Sequence, residues 1–113
     1  DQKEERSNSA AKKAMLYIQE NYSKDISLDD VSGLVNISPY YFSKIFKEET
    51  GENFIEYLTK IRIEKAKEFL VKPDISIKEA GIRSGYTDPN YFSRIFKKQT
   101  DMTPSEYKTR YGE

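Results

Sequence analysis

Apolar residues return along this chain at the spacing of an α-helix, and the polar residues between them spell helix starts and stops. Ala11, Ala14, Met15, Ile18 and Tyr22 outline a first amphipathic helix, broken by the polar Ser23-Lys24-Asp25. Ser27 with Asp30 has the spacing of a capping box, in which the hydroxyl takes a free backbone N–H and the acid reaches back. Ser38-Pro39 sets an N-cap before a proline at the first helical position, where the missing N–H does no harm. Asn53 with Glu56 gives a third start just past Gly51, a residue suited to a left-handed stop. Phe54, Tyr57, Leu58, Ile61, Ala66, Phe69 and Leu70 then run without a breaker to Lys72-Pro73-Asp74. Ser76 with Glu79 reads as a full capping box, Asp88-Pro89 mirrors Ser38-Pro39, and Thr103-Pro104 opens a last helix ending near Arg110. The pattern predicts an all-α fold of about seven helices.

The second half of this pattern copies the first. Aligned without a gap, Ser38 to Leu58 and Asp88 to Lys108 share Pro, Tyr, Phe, Ser, Ile, Phe, Lys, Thr, Glu and Tyr. "YFSKIF" at Tyr41 thus returns as "YFSRIF" at Tyr91. Upstream, Ile26-Ser27-Leu28 pairs with Ile75-Ser76-Ile77 one residue out of step, which puts an extra residue in the turn "SGYTD". The repeated unit is a short helix, a tight turn and a longer helix. The expected organisation is a polar linker over 1–9, a first helix–turn–helix subdomain over 10–52, a connecting helix over 53–71 and a second subdomain over 72–113. Two copies are too few for a solenoid. Joined by a helix roughly 25 Å long, they suit contact with two places a fixed distance apart. Successive major-groove faces of B-DNA lie about 34 Å apart.

Each repeated helix has two faces with different chemistry. Tyr41, Phe42, Ile45 and Phe46 form a stripe of core width, repeated by Tyr91, Phe92, Ile95 and Phe96, with the tyrosines at its edge. Opposite lie Tyr40, Ser43, Lys44 and Lys47 behind Pro39, and in the second copy Asn90, Ser93, Arg94 and Lys97. Neither set contains an acid; Glu48 and Glu49 are held to the helix end. Arg and Lys pair with guanine, Asn with adenine and hydroxyls with many groups, so these faces suit base edges in a major groove. A solvated surface is polar too; the recurrence at one phase of both helices favours the functional reading. For Lys60, Arg62, Lys65, Lys67, Lys108 and Arg110, a solvated helix face is as good an account as phosphate contact. The free N–H groups after Ser27 and Ser76 suit phosphate or simple capping alike.

Composition narrows the choice. Nineteen basic residues balance nineteen acidic ones, so any electrostatic footprint must come from placement. There is no Cys and no His, which removes disulfides, imidazole or thiolate metal sites and the usual neutral-pH base. No cofactor or metal is expected, and scattered carboxylates give no sign of an enzyme. No run reaches the ~20 apolar residues of a membrane span. The start at Asp1 without Met suggests part of a longer protein, and cytoplasm is the expected location.

The stretches "SLDDVSGLVNISPYYFSKIFKEETG", "FIEYLTKIRIEKAKEFL", "SIKEAGIRSGYTDPNYFSRIFK" and "MTPSEYK" resemble the DNA-binding domain of AraC/XylS-type bacterial transcription regulators, over nearly all of residues 10–111. The resemblance implies two recognition helices in adjacent major-groove segments of double-stranded DNA, with base contacts from Tyr40, Ser43 and Lys44, then Asn90, Tyr91 and Arg94. Only Tyr91 departs from the periodicity, which puts it at the core edge. The wording of the first copy is most similar to YesN-like two-component response regulators, which implies an upstream receiver domain. RNA polymerase is the implied protein partner, and a homodimer would form through a missing N-terminal region. Two departures fall in the second copy: Asp101 stands where the family favours Gly, and Gly81 where it favours Ala. They suggest a less stable, weaker-binding second unit. The alternative function is a protein–protein adapter whose polar faces dock acidic partners.

Overall fold

The computed structural model describes residues 2–113. It holds seven α-helices, and no strand occurs among the described residues. They are α1 (Gln2–Asn21), α2 (Leu28–Leu34), α3 (Pro39–Thr50), α4 (Phe54–Leu70), α5 (Ile77–Arg83), α6 (Pro89–Thr100) and α7 (Pro104–Tyr111). The chain is all-α, and it divides inside α4 into one unit ending at Thr59 and another beginning at Lys60.

In the first unit α1 packs on α2 and α3, burying Ala11, Ala14 and Ile18. Phe42, Ile45 and Phe46 of α3 are buried, as are Val31 and Leu58. The Phe42 and Phe46 rings lie 5.3 Å apart, and Phe46 meets Tyr57 edge-on at 5.3 Å. Local hydrogen bonds fix where the helices begin. The Ser27 hydroxyl accepts from Asp30 N at 3.1 Å and the Asp30 carboxylate accepts from Ser27 N at 2.9 Å, closing the capping box. Ser38 Oγ accepts from Tyr41 N at 3.2 Å ahead of Pro39. Each such cap is worth about 1 kcal/mol. The turn between α2 and α3 is made by Asn36 at φ +59°, and Ile37 N donates back to Ser32 O at 3.2 Å.

The polar stretch expected as a linker is helical where it is described: α1 already runs from Gln2, and Asp1 lies outside the described residues. The segment has no Gly or Pro, and Gln, Lys, Glu and Arg are good helix formers. It extends α1 without needing an apolar face of its own.

The second unit rebuilds the same geometry from different residues. Phe92 and Phe96 are buried with rings 5.8 Å apart, and Phe96 meets Tyr107 edge-on at 5.5 Å. Gly85 at φ +107° makes the turn, and Tyr86 N donates to Gly81 O at 2.8 Å. Asp88 caps α6, accepting from Asn90 N at 2.9 Å and Tyr91 N at 3.4 Å. The core gathers Ile63, Ala66 and Leu70 of α4 with Ile75 and Ala80.

Two expectations change in this unit. The Ser76–Glu79 box is half made: Ser76 Oγ accepts from Glu79 N at 3.1 Å, but the Glu79 carboxylate pairs with Arg83 at 2.8 Å instead. An i+4 guanidinium is a stronger partner than a neutral amide N–H. Gly81 is also more than a weak helix former. A Cβ there would lie 2.8 Å from Phe92 Cδ2, so the glycine lets the buried Phe92 ring sit against α5.

Candidate nucleic-acid interface

On α3 the spacing 40, 43, 44, 47 puts four side chains on one face. Tyr40 is 84% exposed. Pro39, Lys44 and Lys47 are exposed and Ser43 is half-buried. On α6, Asn90, Arg94 and Lys97 are exposed and Ser93 is half-buried. Within each helix, then, the polar set stands on the outside, opposite buried Phe42 and Phe46 or Phe92 and Phe96. The N-cap and proline fix the first turn of each helix, so the polar outer face starts from a defined backbone.

The tyrosines of the repeat part company. Tyr41 is half-buried, whereas Tyr91 is 48% exposed. The Tyr91 ring lies 5.8 Å from the Tyr86 ring, and the Arg94 guanidinium lies 5.8 Å from the Tyr91 centroid. Tyr91 is therefore both a core-edge residue and part of the outer face. Sequence reasoning missed Tyr86, which is buried in the turn with the Arg62 guanidinium 5.5 Å from its ring. Its signal was an aromatic residue where the first copy has Ile37.

Several basic residues are engaged elsewhere. Lys108 Nζ donates to Leu70 O, Lys72 O and Ile75 O at 3.0, 2.9 and 2.8 Å. It ties α7 to the exit of α4, so phosphate contact is not its task. Lys67 pairs with Glu64 at 2.9 Å and Lys65 with Glu68 at 3.5 Å along the α4 surface. Arg110 lies 5.4 Å from the Tyr111 ring. At the α2 start Asp29 and Asp30 crowd the first turn, which disfavours a phosphate there.

The balanced total charge hides an asymmetry. Up to Thr59 there are seven basic and eleven acidic residues; from Lys60 onward there are twelve basic and eight acidic. The α6 face therefore sits on a cationic unit, and the α3 face on an anionic one. None of the helices in the described residues is long and apolar enough to cross a membrane.

The profile described as "Helix-turn-helix domain" matches residues 31–110. The regulatory protein PocR of Salmonella typhimurium is 36% identical over 94% of this chain and 35% of its own length. The transcriptional regulatory protein YesN of Bacillus subtilis is 44% identical over 67% of this chain and 21% of its own. The C-terminal domain of AraT, a response regulator from Geobacillus stearothermophilus, superposes with a TM-score of 0.88 at 39% identity, covering 92% of this chain and 87% of that one. The chain belongs to the AraC/XylS-type helix-turn-helix family of transcription regulators. It spans about a third of the length of PocR and a fifth of that of YesN.

Proposed function

We propose that α3 and α6 are the two recognition helices and that they read adjacent major-groove segments of one duplex. Tyr40, Ser43, Lys44, Asn90 and Arg94 contact bases in this reading, Pro39 and Ser93 line the approach, and Lys47 and Lys97 hold phosphates. The observation that carries it is the recurrence of an exposed, acid-free, hydrogen-bonding face at the same phase of both helices. The chain acts as a binding module without catalysis, in the cytoplasm, within a longer regulator that activates transcription through RNA polymerase. The likeness to response-regulator domains supports an upstream receiver as the input, with dimerisation also lying outside residues 1–113. The 1–9, 10–52, 53–71 and 72–113 division serves as the working map for truncation, with α1 beginning at Gln2.

Selection of bound sequences from random duplexes, followed by a salt titration on the winner, tests this reading. Two to four phosphate contacts give log K a slope of about −2 to −4 against log salt. A flat line, or no enriched sequence, sinks the reading and leaves the adapter alternative. That alternative expects no duplex affinity at moderate salt.

A further inference from the structure

Arg94 stands at the outer end of a continuous run of rings that begins in the core of the second unit. Phe96 and Phe92, both buried, have centroids 5.8 Å apart. Phe92 stacks on Tyr86 at 5.6 Å with 27° between planes, and Tyr86 meets Tyr91 at 5.8 Å. The Arg94 guanidinium then lies 5.8 Å from the Tyr91 centroid. From α4, the Arg62 guanidinium lies 5.5 Å from the buried Tyr86 ring. Gly81 belongs to the same arrangement, because its missing Cβ leaves the space that Phe92 occupies.

We infer that this ladder makes Tyr91 a positioning residue, a brace that sets the Arg94 guanidinium for base reading; the inference rests on the assignment of Arg94 to a base edge. A free arginine side chain samples many rotamers, and ordering it on binding costs affinity. A guanidinium held over a ring that itself leans, at 55° between planes, on the buried Tyr86 ring has lost part of that freedom beforehand. Arg94 is three residues from Tyr91 on α6, the spacing at which helical side chains meet. A bidentate pair with guanine O6 and N7 needs the planar fork in one orientation, so bracing acts on discrimination more than on general attraction. The first unit lacks this ladder's middle ring and its end: Ile37 stands where Tyr86 does, and Lys44 presents a rotatable ammonium in place of the fork. The α6 half of the site should therefore be read more sharply than the α3 half.

The test uses the selected duplex and a panel with each base pair changed in turn, against the chain and its Tyr91→Leu, Tyr91→Phe, Arg94→Ala and Tyr91→Leu/Arg94→Ala variants. Tyr91→Leu should weaken preference about two- to fivefold, only at the base pair whose preference Arg94→Ala abolishes. Tyr91→Phe should keep the wild-type profile, and the double variant should match Arg94→Ala alone. In the free protein, NMR should show ring-current shifts on the Arg94 side-chain protons that vanish in Tyr91→Leu and persist in Tyr91→Phe. The brace is overturned by an unchanged Tyr91→Leu profile. A change at a different base pair overturns it too, since Tyr91 would then touch a base itself. A uniform loss across the panel does the same, marking a purely structural role. If Arg94→Ala leaves every preference intact, the base-reading assignment falls and the brace with it. That result differs from a failure of Tyr91→Leu alone.

Discussion

Phe46 and Tyr57 in the first unit meet edge-on as Phe96 and Tyr107 do in the second, yet the next aligned pair is Leu58 against Lys108. Leu58 is buried apolar surface, 4% exposed. Lys108 spends its three ammonium protons on three carbonyls at the exit of α4. One backbone plan is thus closed by a hydrophobic plug in one copy and by a charged staple in the other. A duplicated architecture fixes where a contact is needed and leaves open the chemistry that supplies it. The same holds for the two proposed reading faces, Tyr40 and Lys44 on an anionic unit and Asn90 and Arg94 on a cationic one.

The largest effects should come from breaking those two closures. Leu58→Ala removes a buried side chain and should cost about 2–5 kcal/mol. Lys108→Met keeps the stem and removes the charge, leaving three carbonyls to half-exposed surroundings; about 2 kcal/mol is expected. Amide hydrogen exchange should localise the first loss to residues up to Thr59 and the second to residues from Lys60. Equal deprotection of both halves by either variant would show that the chain unfolds as one cooperative body.

Next in size are the reading faces. Arg94→Ala should cost about 1–3 kcal/mol of affinity and relax preference at one or two base pairs. Lys44→Ala should cost about 1 kcal/mol or less, since a single ammonium contact lacks the bidentate fork. Binding measured at one fixed salt concentration separates them. A larger loss from Lys44 would reverse the expected order and place the dominant contact on the anionic unit.

Much of this comparison is legible in the sequence, and its gaps have physical causes. Caps at Ser27, Ser38, Asn53, Asp88 and Thr103 are readable because a short side chain can reach only a backbone N–H two or three residues on. The polar faces of α3 and α6 are readable because periodicity is strong there. The start of α1 was not, since helix propensity without an amphipathic stripe leaves no periodic signal. Glu79 had two partners in reach, and spacing does not say that Arg83 would win. Lys108 and Tyr86 act through residues far along the chain or across a turn, where neither periodicity nor motif spacing applies.

Gly81 sharpens the comparison at a smaller scale. Propensity alone makes Gly81→Ala a gain of about 1 kcal/mol. Overpacking against the buried Phe92 ring costs about 1–3 kcal/mol, so the packing term should prevail by roughly 1 kcal/mol. The aligned first-unit residue is Ser32, which carries a Cβ in a buried position without difficulty. A higher melting temperature for Gly81→Ala would mean that Phe92 can yield, and that the ladder from the core to Arg94 is softer than its spacing implies.

The smallest expected effect lies at the helix stops. Gly51 holds φ +81° and Asp101 holds φ +65° at the ends of α3 and α6. Thr50 and Thr100 build matching hydroxyl contacts beside them, each 2.8 Å from the carbonyl of Phe46 or Phe96. The backbone demand is the same, but Asp101 meets it with a Cβ and a negative charge at the anionic end of a helix. Asp101→Gly relieves both and adds unfolded-state freedom, so a net gain of about 0.5 kcal/mol is expected. That corresponds to a rise of roughly 2–3 °C in melting temperature. Asp101→Asn divides the two causes, because it keeps the Cβ and removes the charge. If the charge dominates, Asp101→Asn should recover most of the rise at low salt and little at high salt. If the backbone dominates, only glycine should help. A fall in stability for both variants would show that the Asp101 carboxylate itself stabilises the corner.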